Sequence, residues 1–186
     1  MTRTIAVYGG SFDPPHAAHL LVAAWVTSCA DVDALVFVPT AEHSLGKSSS
    51  ASFEHRLAMV ERVSARVPGS NVSAIEASLP RPSRTLATLE ALSREHPDAS
   101  LRLVVGADIA AETSRWHRWE AIVALAPPIW IGREGHDPGV DVRITLPDIS
   151  STAIRADLRT GGDVRGILPD DVRRYIAEHE LYRGSP

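Results

Sequence analysis

Short apolar runs that stop at glycine or proline, with helix-length segments between them, limit the fold of this chain more than any other feature. Thr4-Ile5-Ala6-Val7-Tyr8 stops at Gly9-Gly10, Leu35-Val36-Phe37-Val38 at Pro39, and Leu101-Arg102-Leu103-Val104-Val105 at Gly106. Each run has the length and partly β-branched character of a buried strand. Ile129-Trp130-Ile131 reads as another, residues 71–75 as a further strand, and residues 142–146, alternating polar and apolar, as an edge strand. Residues 17–30 carry Leu20, Leu21, Ala24, Trp25 and Cys29 at roughly helical spacing. A helix is expected over 52–66, starting at Ser52 with Leu57, Val60 and Val63 as its inner stripe. Leu86, Leu89 and Leu92 mark a helix over 83–95, and Pro127-Pro128 ends a short one at 119–126. Residues 150–159 and 169–179 read as closing helices, and the polar stretch 41–52 as a loop.

Strands that alternate with helices imply an α/β fold, with a mostly parallel sheet covered by helices on both faces. Ligands of such sheets bind beyond the carboxyl ends of the strands, where the strand order switches. The turns after Tyr8, Val38, Val105 and Ile131 are therefore the places for a site.

At 186 residues and 44% hydrophobic, the chain suits one domain with a substantial core. Its net charge of −4 offers no bulk basic field, so a nucleic-acid partner is not expected. No apolar stretch nears the ~20 residues a membrane span needs, and the opening residues lack a secretory pattern. A cytoplasmic location without membrane association is the expectation; a homo-oligomer is left open. Cys29 is the one cysteine, so no internal disulfide is available, and Val26 and Ala30 beside it suggest a helix-core position.

The turn after the first strand is the richest in chemistry. Gly9 and Gly10 have no Cβ, so backbone can approach a ligand closely. The following helix aims its free N–H groups and positive dipole end at that point, which suits phosphate. His16 and His19, three apart, face the same way and can donate to phosphate oxygens. A glycine pair after a first strand is also common in α/β folds. Two histidines three apart can hold zinc, but no third ligand lies near them, so no protein metal site is expected. Spacing alone leaves phosphate cradle and plain turn both open.

The full string Gly9-Gly10-Ser11-Phe12-Asp13-Pro14-Pro15-His16-Ala17-Ala18-His19 closely resembles the signature of the nucleotidyltransferase superfamily with the (H/T)xGH motif. Ile149-Ser150-Ser151-Thr152-Ala153-Ile154-Arg155 is similar to that superfamily's ISSTxIR segment. Further segments resemble the bacterial nicotinate mononucleotide adenylyltransferase family: Val38-Pro39 with His43 and Lys47, Phe53 to Val60, Ser83 to Leu89, Val105-Gly106-Ala107-Asp108 with Trp116-His117-Arg118-Trp119-Glu120, Arg133-Glu134-Gly135, and Val172 to Tyr182. The resemblance spans nearly the whole chain. Three places depart from the family pattern: Ala18 stands where glycine is usual, Arg84 where tyrosine is, and the loop Glu42 to Lys47 differs.

The resemblance implies a single Rossmann-like domain over 1–186, whose C-terminal helical part from about 150 carries the Ser151–Arg155 element. It implies transfer of AMP from ATP to nicotinate mononucleotide, giving deamido-NAD and pyrophosphate. A same-fold enzyme with nicotinamide mononucleotide or phosphopantetheine as acceptor, and a non-catalytic nucleotide-binding protein, are the alternatives. The implied catalytic residues are His16, His19, Lys47 and Arg155. ATP would meet Gly9, Gly10, Ser11, Phe12, His16, His19, Gly106, Asp108, Ser151 and Arg155. The acceptor would meet Thr85, Asp108, Trp116 and Arg133. Mg²⁺ would come with ATP.

Overall fold

Residues 2–41, 49–81, 84–136 and 139–183 are described by a computed structural model, without the side chains of 114 and 115. Six strands form the sheet: β1 (Arg3–Gly10), β2 (Ala34–Pro39), β3 (Ser70–Val72), β4 (Ala99–Gly106), β5 (Pro128–Arg133) and β6 (Thr145–Leu146). Their order is β3-β2-β1-β4-β5-β6 and every pairing is parallel. The helices are α1 (Ala17–Cys29), α2 (Phe53–Ser64), α3 (Thr85–Glu95), α4 (Trp119–Leu125), α5 (Ser151–Thr160) and α6 (Asp170–Glu178).

Successive strand residues point to opposite faces, and this sorts the core into two layers. Ala6, Leu35, Phe37 and Val104 pack with Val22, Ala23 and Val26 of α1, Met59, Val60 and Val63 of α2, Ile154 of α5, and Val172 and Ile176 of α6. Ile5, Val7, Val36, Val38, Leu101, Leu103 and Val105 pack with Leu86, Leu89 and Leu92 of α3 and Ile122 of α4. Both faces of the sheet are thus covered, which explains the long apolar runs in β1, β2 and β5.

The register locates the crevice. β1 stays paired with β2 as far as Gly10 opposite Pro39. On its other side its last partner is Tyr8 opposite Val104, whereas β4 runs on beside β5 to Gly106. Beyond Tyr8 the sheet parts between β1 and β4, and this is where the strand order reverses.

Several elements differ from the sequence reading. The inner face of α1 is Val22, Ala23 and Val26; Leu20 and Trp25 are half-buried, and Leu21, Ala24 and Cys29 are exposed. Cys29 is therefore not a core residue. This helix is apolar on nearly every side, so spacing names no face and packing decides. Met59 takes the interior place expected of Leu57, which is half-buried. The strand expected over 71–75 is Ser70–Val72, and Ile75 instead opens a 3-10 turn, Ile75–Ser78. There the Ser73 hydroxyl accepts the Ile75 N–H at 3.3 Å, a side-chain turn that competes with the ladder. The edge strand expected over 142–146 shrinks to Thr145–Leu146. Pro128 opens β5 as its first residue, where a missing N–H is tolerated. A 3-10 stretch, Ala107–Arg115, had no counterpart in the reading. Ser52 does cap α2, its hydroxyl accepting the His55 N–H at 3.4 Å. No described helix is long and apolar enough to cross a membrane.

Leu89 is fully buried in the layer under α3. Leu89→Ala is expected to lower unfolding free energy by about 2–5 kcal/mol, read from the midpoint of a denaturant titration with unchanged slope.

Candidate active site

Where β1 parts from β4, the chain turns sharply. Phe12 takes a left-handed backbone (φ 49°) and buries its ring. That ring packs edge-on against Tyr8 at 5.5 Å, Phe37 at 5.7 Å and His19 at 4.9 Å between centroids. A Cβ on Gly10 would stand 3.0–3.2 Å from the same ring. The glycine thus makes room for Phe12, a packing duty additional to the ligand approach expected of it.

His16 caps α1 with extended backbone, and its N–H donates to Nδ1 of His19 at 3.1 Å. The two imidazoles lie 3.8 Å apart between centroids. Since His19 Nδ1 accepts, the neutral ring carries its proton on Nε2, ready to donate. Burial pulls the His16 imidazole down to about 4, with Arg133 adding to the effect. His19 is held well below its ordinary value by burial, then by His16, then by Arg133. Both rings are neutral at pH 7. His16 Nδ1 is buried and has no hydrogen-bond partner among the described residues. An orphaned buried nitrogen costs about 1–3 kcal/mol and marks a place where an added partner is favourable.

Between these histidines and the turn sits Asp13, 3% exposed. Its carboxylate accepts N–H bonds from Ser50 (2.6 Å) and Ala51 (3.1 Å) and an O–H bond from Tyr182 (2.7 Å). Arg56, 1% exposed, stitches the same strands of chain the other way, donating to the carbonyls of Ser11 (2.7 Å) and Ala51 (3.3 Å). The start of α5 closes on this segment. Ser151 Oγ donates to the Pro14 carbonyl at 3.0 Å. Arg155 donates to the Asp13 carbonyl at 2.6 Å and to Thr152 Oγ1 at 3.2 Å, with the Asp13 carboxylate at 3.9 Å. The two sequence elements, 137 residues apart at Ser151 and Pro14, therefore form one surface.

Across the crevice, Gly106 ends β4 and Asp108 folds back over it; any side chain on Gly106 would collide with the Asp108 carboxylate. Asp108 pairs with Arg133 at 3.2 Å, and Arg133 also reaches Asp148 at 3.4 Å. Burial pushes the Tyr8 phenol above its ordinary range, with Arg133 opposing and Asp108 reinforcing. Tyr8, the histidines and the Asp108–Arg133 pair thus share one electrostatic neighbourhood.

The expected acceptor residues lie at the same edge by topology, since helices of a parallel sheet start where strands end. Thr85 is the first residue of α3, and Trp116 follows the 3-10 stretch after β4. Trp116 meets Trp119 edge-on at 5.5 Å, and Trp119 meets Trp130 at 5.9 Å. Trp116 remains half-exposed. No hydrogen bond among the described residues ties Thr85 or Trp116 to the histidine pair. Lys47 and His43 lie outside the described residues, as does Ser83. Among the described residues no group of three or more His, Cys, Asp or Glu side chains gathers to hold a metal ion.

Asp13, Arg56 and Tyr182 lie inside the segments that carry the resemblance, without a task assigned to them there, and Glu76 lies outside those segments. Glu76 is 7% exposed; it accepts the Ala41 N–H (3.0 Å) and the Thr88 hydroxyl (2.9 Å), joining the end of β2 to α3. The available signal was a carboxylate amid glycine, aromatic and proline residues at Asp13. A charge there is easily buried and must find donors.

The family model described as cytidylyltransferase-like matches residues 7–157. A relative from Anaeromyxobacter sp. (strain K), named a probable nicotinate-nucleotide adenylyltransferase, is 47% identical over 98% of both chains. One of the same name from Gemmatimonas aurantiaca is 37% identical over 98% of this chain and 93% of its own. In fold, the chain is similar to the Plasmodium falciparum nicotinic acid mononucleotide adenylyltransferase complexed with NaAD, at a TM-score of 0.80, 20% identity and 97% coverage of each. Identity at this level over nearly the full length, with the family model matching residues 7–157, makes the chain a nucleotidyltransferase of the nicotinate-nucleotide adenylyltransferase family.

Proposed function

We propose that the chain transfers the AMP group of ATP to nicotinate mononucleotide, forming deamido-NAD and pyrophosphate. One observation carries the reading: the start of α5 is bonded to the segment that ends in two neutral, stacked histidines, one with an orphaned nitrogen. That surface offers hydrogen-bond donors and a guanidinium to an anion, and none of its side chains has to act as a nucleophile. A phosphate oxygen of the acceptor, already anionic, attacks the α-phosphorus in line; the bond to the bridging α–β oxygen breaks and pyrophosphate leaves with that electron pair. Catalysis is then positioning and charge stabilisation.

His19 Nε2–H donates to an α-phosphate oxygen, and His16 to the α or β group. The N–H groups at Ser151 and the Arg155 guanidinium hold the β and γ end. Lys47 adds a further positive charge. Backbone of Gly9, Gly10, Ser11 and Phe12, with Gly106 and Asp108, takes the adenosine part; the Phe12 ring is buried and contributes only from beneath. Thr85, Asp108, Trp116 and Arg133 receive the acceptor, Trp116 by stacking on the pyridine ring. Mg²⁺ brought by ATP would supply charge neutralisation at the triphosphate. The Asp13 carboxylate already has three donors, which fits an ion held by phosphate oxygens and water with few protein ligands. We take the chain to act as one domain over 1–186, in the cytoplasm.

His19→Ala is expected to lower turnover at least ~100-fold while unfolding as the native chain does. The assay is pyrophosphate release with ATP and a panel of acceptors; turnover near the native rate sinks the assignment, and release with another nucleotide but not nicotinate mononucleotide sinks the acceptor.

The neutral histidines also leave a mark on stability. The unfolded chain binds their protons near pH 6.5, the folded chain only near 4 at His16. Unfolding therefore takes up protons in this window, and stability falls as pH drops from 7 to 4 and is complete above 6.5. For His16 the loss reaches about 3 kcal/mol by pH 4. Comparing the native chain with His16→Asn across this range by denaturant titration should show the native slope to be steeper; parallel curves contradict the burial of a neutral imidazole.

A further inference from the structure

Tyr182 reaches 169 residues back along the sequence to the Asp13 carboxylate. We propose that Tyr182 and Asp13 are positioning residues that set Arg155 for the triphosphate, a role that rests on the function proposed above.

Asp13 faces Arg155 twice. Its carbonyl takes the guanidinium's N–H at 2.6 Å, while its carboxylate stands at 3.9 Å, too far for a hydrogen bond. The carboxylate's oxygens are instead taken by Ser50, Ala51 and Tyr182. Two of the guanidinium's five N–H donors are thereby committed, to Asp13 and Thr152. The others are left for an incoming anion. A carboxylate relieved of one donor would draw Arg155 into a bidentate pair and consume those donors. Tyr182 is the donor that prevents this.

The chain's last described turn is shaped for the contact. Glu180 and Tyr182 both adopt left-handed backbone, φ 53° and 62°, which non-glycine residues take only when surroundings hold them there. Burial first, and then the charge of Asp13, push the Tyr182 phenol above its ordinary range. It therefore remains an O–H donor throughout the working pH range. Neither residue touches the reacting atoms in this arrangement; both act through Arg155.

The test measures ATP binding directly, by calorimetry without acceptor, alongside turnover with ATP and nicotinate mononucleotide. Tyr182→Phe keeps the ring and removes the hydroxyl. It is expected to weaken ATP binding and raise KM for ATP about tenfold, with KM for the acceptor and the unfolding midpoint close to native. Asp13→Asn removes the charge that would draw Arg155 away, so Tyr182→Phe added to it should cost little, because the two act as one unit. A purely structural role predicts the reverse: a lowered unfolding midpoint with native ATP affinity in the folded fraction. Native ATP binding in Tyr182→Phe, or strictly additive losses in the double variant, overturns the inference and leaves the enzyme reading standing. A native chain that binds no ATP overturns both.

Discussion

Beyond the pairing of Tyr8 with Val104, β1 has a partner on one side only, and the rest of the site follows from this asymmetry. From Ile5 to Tyr8, β1 is paired with a neighbour on each side. Past Tyr8 the side facing β4 opens, and Gly9 and Gly10 run along β2 alone. The chain must then leave the sheet, and Phe12 turns it back toward α1. What fills the opening is not apolar packing but the histidine pair on one wall and the Asp108–Arg133 pair on the other. A parallel sheet with both faces covered has few other places to expose polar groups to a ligand.

The core beneath this opening is unusually charged. Asp13, Arg56 and Glu76 are all nearly inaccessible. Backbone takes part in answering each: Asp13 by two N–H groups, Arg56 by two carbonyls, Glu76 by the Ala41 N–H beside the Thr88 hydroxyl. Such groups add little net stability, because desolvation offsets the bonds they make. Their effect is geometric. They pin irregular chain that has no ladder of its own, at the ends of β1 and β2 where the site lies.

Much of this was legible in the sequence, for identifiable reasons. Strands buried on both faces are written as unbroken apolar runs, so β1, β2, β4 and β5 stood out. The leucines of α3, at intervals of three, named its inner face because the rest of that helix is polar. α1 lacks such contrast, and its buried face could not be read. β6 is two residues long and held by a single neighbour, so no periodicity can accumulate there. At the site, the histidines and the Ser151–Arg155 element were visible as motifs, since their spacing is local. Asp13 with Tyr182, and Glu76 with Ala41 and Thr88, were not, because their partners are distant in sequence and are chosen by the fold.

Gly10 and Phe12 share one volume: the ring occupies the space that any side chain on the glycine would need. The ring also lies under His19, at 4.9 Å. A methyl at position 10 asks the ring to give by a few tenths of an ångström, and a smaller residue at 12 takes the floor from under the histidine. A change at either position is therefore felt at the other and, through the ring, at His19.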